Sequence, residues 1–260
     1  LAQHWPLAIS APTIDRLESR ALLPGECRMS PTLYYQDEWV TLYHGDCLEI
    51  TEWLQADVLI VDPPYGSSVT AGNPRGGYGR RGNAAGNRRG APLGRGLEAA
   101  TIANDLDTGL RDEVLSMWQA RGPALCFGSP RMADPPGEWV DRLVWDKKRP
   151  GMNGGPWRYR HESIYVSAGF LRVDNSAVSI IEAWPDQTDH IHAKPLALMT
   201  RLVAAAPEGA IADPTSGVGS TLAAAKQLGR RAVGVELEER YCEIAARRLT
   251  QDVLDFGAIS

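Results

Sequence analysis

Cysteine is scarce in this chain. Cys27, Cys47, Cys126 and Cys242 are the only four in 260 residues, and none stands close enough to another for a zinc knuckle or a CxxC redox pair. No metal site and no disulfide framework are therefore expected; free thiols in the reducing cytoplasm are. Long hydrophobic runs are missing as well, since none approaches the roughly 20 residues of a membrane helix. Residues 1–28 lack the basic start, apolar middle and cleavage site of a secretory signal. An excess of positive charge is also absent. The formal net charge of -5 argues against a protein that coats nucleic acid indiscriminately.

What is present suits one sizeable α/β domain, with 43% apolar residues to build its core. Residues 1–28 are expected to form an N-terminal extension outside that core, and 29–260 to form the domain itself. Charge is unevenly spread. Between positions 66 and 97 lie Arg75, Arg80, Arg81, Arg88, Arg89 and Arg95 with no acid, which leaves about -11 (-5 minus 6) on the rest. That segment also holds ten glycines up to residue 96, cannot build a core, and reads as an inserted arm for phosphate.

Along the chain, residues 39–46 read as a strand stopped by Gly45, and 47–55 as a short helix. The apolar run 57–62 suits a central parallel strand buried on both faces; it stops at Pro63-Pro64, which cannot continue a ladder. Residues 110–120 return to helical spacing, and 123–128 form a further buried strand. Runs 139–145 and 161–170 make an antiparallel hairpin at a sheet edge around the basic loop 147–160. The final third alternates helix and strand: a helix opened by Lys194-Pro195 and running to about 206, strand 209–213, helix 221–228, strand 231–236 and helix 239–249. This order predicts a doubly wound, mostly parallel sheet.

Two stretches carry chemistry. The first is Asp213-Pro214-Thr215-Ser216-Gly217-Val218-Gly219-Ser220-Thr221, a glycine turn between strand and helix where backbone comes close to a ligand. Glu236 ends the next strand, 17 residues beyond Gly219, where an open α/β sheet places a carboxylate for ribose hydroxyls. Leu222 stands where a dinucleotide fingerprint needs its third glycine, and no Gly-Lys-Ser/Thr follows, so a nucleoside ligand without pyrophosphate fits better. A tight turn that holds no ligand is the plain alternative.

The second stretch is Asp62-Pro63-Pro64-Tyr65 at the carboxyl end of the most buried strand. An aromatic amino group is a poor nucleophile because its lone pair is delocalised into the ring. A carboxylate beside a rigid backbone carbonyl accepts both amino hydrogens and favours a pyramidal nitrogen. The prolines stiffen that carbonyl and remove competing N–H donors. Tyr65 offers a face on which an extruded base stacks.

With these motifs the chain resembles the amino-group (N6-adenine/N4-cytosine) DNA methyltransferases, in the permuted β-type order that places the catalytic motif before the cofactor loop. The resemblance runs from about residue 39 to 249. It implies a Rossmann-like, seven-stranded methyltransferase fold with an antiparallel edge hairpin, and S-adenosyl-L-methionine as cofactor. It implies that Asp62, Pro63, Pro64 and Tyr65 are catalytic. Cofactor contacts are implied for Asp46 and the adjoining Cys47, Lys194, Pro195, the loop residues Asp213, Pro214, Thr215, Ser216, Gly217, Gly219, Ser220 and Thr221, and Glu236 with Leu237. Thr215 stands where the family usually has an aromatic, which weakens the packing against the methionine portion.

The expected substrate is DNA, double-stranded and read through a flipped base, gripped by the six arginines named above and by Lys147, Lys148, Arg149, Arg158 and Arg160. The interval 171–190, where the family's recognition region falls, is too short for a separate domain, so the 66–97 segment is expected to share recognition. Asp62 at the first motif position favours adenine N6; cytosine N4, an RNA amino group and a non-catalytic nucleic-acid-binding module of this fold are the alternatives. A monomer or homodimer, free of membrane, is expected.

Overall fold

The computed structural model describes residues 32–64, 108–149, 157–172, 178–185 and 193–251. The expected N-terminal extension at 1–28 and the arginine-rich insertion at 66–97 lie outside the described residues, as does Tyr65. One mixed sheet organises the rest, in the order β1-β2-β9-β8-β3-β4-β6-β5-β7. Its strands are β1 Thr32–Gln36, β2 Val40–His44, β3 Val58–Val61, β4 Ala124–Gly128, β5 Asp141–Asp146, β6 His161–Val166, β7 Ile180–Glu182, β8 Ile211–Asp213 and β9 Ala232–Glu236. Five neighbouring pairs are parallel and three antiparallel. The sheet is the doubly wound one expected, widened from seven strands to nine by β1 and β7.

The central strands are apolar throughout because both faces are covered. Val58 and Ile60 join one core cluster with Leu198, Leu202, Leu222 and Ala245. These come from α2 (Leu196–Ala205), α3 (Ser220–Gln227) and α4 (Glu239–Gln251). Leu59 and Val61 point the other way, into a cluster with Trp53, Val114 and Trp118. The last two belong to α1 (Gly109–Trp118). Helix α3 lies close on the sheet because Gly234 on β9 carries no side chain; a Cβ there would stand 2.7 Å from Leu222 Cδ1. The close-packing glycine sits on the strand here, not in the helix.

Three local expectations are corrected. Residues 47–55 form a turn followed by a 3₁₀ segment, Glu52–Gln55, not a helix. The Cys47 carbonyl, which an α-helix would give to the N–H four residues on, instead accepts the buried Trp53 indole N–H at 2.9 Å. The β5–β6 pair is antiparallel, but it is not the edge: β7 adds a parallel strand outside β5. Pro195 is the N-cap of α2, and the helix proper begins at Leu196.

Candidate active site

The chain leaves β3 for β4 on one side and β8 for β9 on the other, so the neighbouring parallel strands β3 and β8 form a topological switch point. A crevice opens beyond their carboxyl ends, as open α/β sheets favour. It measures about 230 Å³ and is lined by Asp62, Pro63 and Pro64 together with residues 213–218, 220 and 221. The two distant stretches singled out in the sequence share one cleft. Asp46, Cys47, Lys194, Glu236 and Leu237 line it too. Pro195 and Gly219 stand behind the wall as the N-caps of α2 and α3, with Gly219 at φ 75, a conformation glycine adopts without strain.

One half of the cleft is shaped for a polar ligand. Glu236 accepts the Gly217 N–H at 2.8 Å on one carboxylate oxygen and the Glu238 N–H at 2.7 Å on the other. Each oxygen keeps further lone-pair capacity for a hydroxyl. Asp46 Oδ1 accepts the Leu48 N–H at 2.9 Å, fixing its carboxylate at the rim. A Cβ at Gly217 would meet nothing within 4 Å. Thr215 Oγ1 is buried with no hydrogen-bond partner among the described residues. A buried hydroxyl left unpaired is costly, and a bound polar group would remove the cost. The charged lining is acidic on balance, with Asp46, Asp62, Glu162, Glu236 and Glu238 against Lys147 and Lys194. A cationic ligand with vicinal hydroxyls suits these donors and acceptors. The Cys47 thiol, pushed up to about 12 by burial, stays neutral and is no nucleophile.

Asp213 closes the floor. Burial, the largest influence, and the nearby Asp62 and Glu236 carboxylates push it up to about 7, against the Thr221 hydroxyl and the Thr215 N–H, which favour the anion. In the unfolded chain the same acid titrates near its ordinary 3.8. Between these values the folded state holds a proton that the unfolded state has lost, so this group's stabilisation is full below about pH 4 and fades as pH rises through about 7. Asp213→Asn should flatten that stretch of the stability–pH curve, by at most about 4 kcal/mol at 1.36 kcal/mol per unit. Urea unfolding between pH 4 and 8 checks it; an unchanged slope in the variant would remove Asp213 as the source.

The other half is a chain of charges. The Lys194 ammonium donates to Asp62 Oδ2 and lies 3.3 Å from Glu162 Oε2, while Lys147 pairs with the other Glu162 oxygen. Lys194 also stands 4.9 Å from the centre of the Phe127 ring and 5.9 Å from that of Trp145. Burial alone would pull the Lys194 ammonium down, but Asp62 and Glu162 outweigh it and hold it above the ordinary lysine range. Burial likewise pushes Glu162 up, and Lys194 and Lys147 reverse the balance.

Sequence reading had not singled out Glu162, Phe127, Trp145 or Tyr241, all of which line the cleft. An acid shortly before the apolar run Ile164–Val166 of strand β6 was the available signal for Glu162. The residues of the expected phosphate grip have different neighbours. Lys147 lines the cleft, Lys148 pairs with Glu182 at 2.5 Å, and Arg160 pairs with Asp146 at 2.7 Å. Arg149 lies 5.6 Å from the centre of the exposed Trp184 ring, and Arg158 is exposed. Arg75, Arg80, Arg81, Arg88, Arg89 and Arg95 lie outside the described residues. No helix among the described residues is long and apolar enough to cross a membrane.

Comparison with known proteins bears on this geometry. Residues 174–247 match the model of the N6/N4 DNA methylase family. The chain is similar to the amino-group DNA methyltransferases. The type II methyltransferase M.HinfI of Haemophilus influenzae is 36% identical over 64 residues, 24% of this chain and 18% of that protein. The chain's matches span less than half the length of the curated relatives. Among solved structures, M1.HpyAVI in complex with S-adenosylmethionine superposes with a TM-score of 0.52 at 20% identity, covering 81% of this chain and all (100%) of that one. The cytosine-N4-specific PvuII DNA methyltransferase superposes at 0.54 and 12% identity, covering 88% and 90%. At these identities the likeness is one of fold alone: this chain shares the Rossmann-like architecture of those two proteins.

Proposed function

We propose that this chain transfers a methyl group from S-adenosylmethionine to an exocyclic amino group in DNA, with adenine N6 as the target. The observation that carries the reading is the convergence of Asp62-Pro63-Pro64 and the 213–221 turn on one cleft at the β3–β8 switch point. Bound here, S-adenosylmethionine would supply a methyl activated by its sulfonium, whose transfer to the amino nitrogen would break the methyl–sulfur bond and leave a neutral thioether. The chain's own residues bind and orient. Glu236 receives ribose hydroxyls, Asp46 and the adjoining Cys47 edge the adenine, and the hydroxyl of Thr215 gains the partner it lacks. The Asp62 carboxylate and the rigid Pro63 carbonyl accept the two amino hydrogens, localise the nitrogen lone pair, and stabilise charge developing on nitrogen. Asp62 is the first stop for the departing proton. These groups line a cleft that a base reaches only when it leaves its stack.

Adenine is favoured by Asp62 at the head of the motif. A second reading, cytosine N4, is supported by the equally good superposition on the PvuII enzyme. Incubation with S-adenosylmethionine carrying a labelled methyl and mixed-sequence duplex DNA, followed by digestion and nucleoside mass spectrometry, tests both. N6-methyladenine is the expected product; N4-methylcytosine would replace the adenine reading, and unlabelled DNA would end the proposal.

The arginine-rich segment is assigned to DNA contact on its charge alone. Deleting 66–97 should abolish duplex binding, measured by fluorescence anisotropy at fixed salt, while cofactor affinity is kept; unchanged DNA affinity would remove that assignment.

A further inference from the structure

The cleft holds an acid with no part in binding or acceptor chemistry as described so far. Glu162 lies on β6, is 8% exposed, and has one oxygen on Lys194 and the other on Lys147. A carboxylate so thoroughly buried persists as an anion only when paired, and both of its partners line the same cleft. Lys194, in turn, is held between two carboxylates that come from different strands: Asp62 after β3 and Glu162 on β6. The rings of Phe127 on β4 and Trp145 on β5 stand beside the same ammonium.

We infer that Glu162 is a positioning residue: it shares the Lys194 ammonium with Asp62 and so fixes where, and how tightly, Lys194 grips the acceptor carboxylate. The inference rests on the reading of Asp62 as acceptor of the substrate amino hydrogens. Its physical content is a competition. With Glu162 ionised, the ammonium divides its hydrogen bonds between two anions and aims Asp62 Oδ2 without saturating it. With Glu162 neutral, the whole ammonium turns to Asp62, which becomes a weaker and misdirected acceptor for an incoming amino group. Lys147 sets the other side of Glu162, stacked 5.1 Å from the Trp145 ring centre, and keeps the acid from swinging away from Lys194.

The test uses Glu162→Gln and Glu162→Asp in the full chain, with two readouts. The first is side-chain NMR titration of Lys194, assigned through Lys194→Arg. Glu162 is one of the two carboxylates that raise this ammonium, so its loss should lower the titration point. The base limb of the kcat profile should move down with it. The second readout is steady-state methyl transfer. Glu162→Gln should lower kcat at least about tenfold with the DNA KM within about threefold, and Glu162→Asp should recover part of the loss. A lower kcat with an unmoved Lys194 titration would mean general structural damage and would overturn the inference, as would wild-type kcat in Glu162→Gln. Should Glu162→Gln prove unstable, Glu162→Asp carries a graded form of the test: its shorter carboxylate should lower the Lys194 titration point by less, and an unmoved point together with reduced kcat would overturn the inference. Absence of methyl transfer in the unaltered protein would overturn the functional reading instead, while the Lys194 titration would still decide the role of Glu162.

Discussion

Asp62→Ala should reduce methyl transfer about 10²–10³-fold, the usual cost of removing one group aimed at developing charge, while S-adenosylmethionine affinity stays within about threefold. The separation follows from where Asp62 stands. It follows β3 and reaches Lys194, whereas Asp46, Thr215 and Glu236, assigned above to the cofactor, lie after β2, after β8 and at the end of β9. Truncation has a side effect that must be controlled, because Lys194 is 7% exposed and loses one of its two counter-charges. Asp62→Asn keeps the shape and a carbonyl acceptor but removes the charge. It should retain more thermal stability than the alanine variant and still lose most of the turnover. Single-turnover transfer and calorimetric titration of the cofactor, run on both variants, check the split. Substantial residual transfer by both would contradict the acceptor role.

The second large effect is on stability. Trp53 is fully buried, stacks on Trp118 with ring centres 6.1 Å apart at 16°, and donates its indole N–H to the Cys47 carbonyl. Trp53→Ala removes a large apolar surface, opens a cavity and leaves that carbonyl unpaired, which together should cost about 3–5 kcal/mol. For a domain of this size the melting temperature should fall by about 6–20 °C. Trp53→Phe keeps the stacking and loses the hydrogen bond, so it should fall by a clearly smaller amount. Calorimetric melting of the three proteins measures the ordering, and an alanine variant as stable as the phenylalanine one would refute it. Because Cys47 and Asp46 line the cleft, the alanine change should also weaken cofactor binding.

How far the sequence disclosed this structure depends on how local each signal was. Asp62-Pro63-Pro64 and the Gly217–Gly219 turn were legible because proline and glycine dictate backbone geometry within a few residues. Strands β3 and β4 were legible because burial on both faces leaves an unbroken apolar run. The edge strands were not: β1 and β7 bury little, with only Ile181 deeply covered in β7, so no alternation marks them. The 47–55 segment carries helical spacing, yet a side-chain hydrogen bond from Trp53 occupies a carbonyl that a helix needs. Glu162 and Lys194 are 32 positions apart, and nothing but the sheet order brings them together. The acidic partners of Lys147 and Lys148, Glu162 and Glu182, lie on other strands, so the basic run alone did not disclose those pairings.

The missing side chain at Gly234 has a consequence for the cleft. The gap between β9 and α3 is one leucine thick, since Leu222 fills the place where a Cβ would project. Ser220 and Thr221 open the same helix and line the cleft. The layer beneath those two cleft residues is therefore set by Leu222, and a single methyl on the strand would force that leucine to shift.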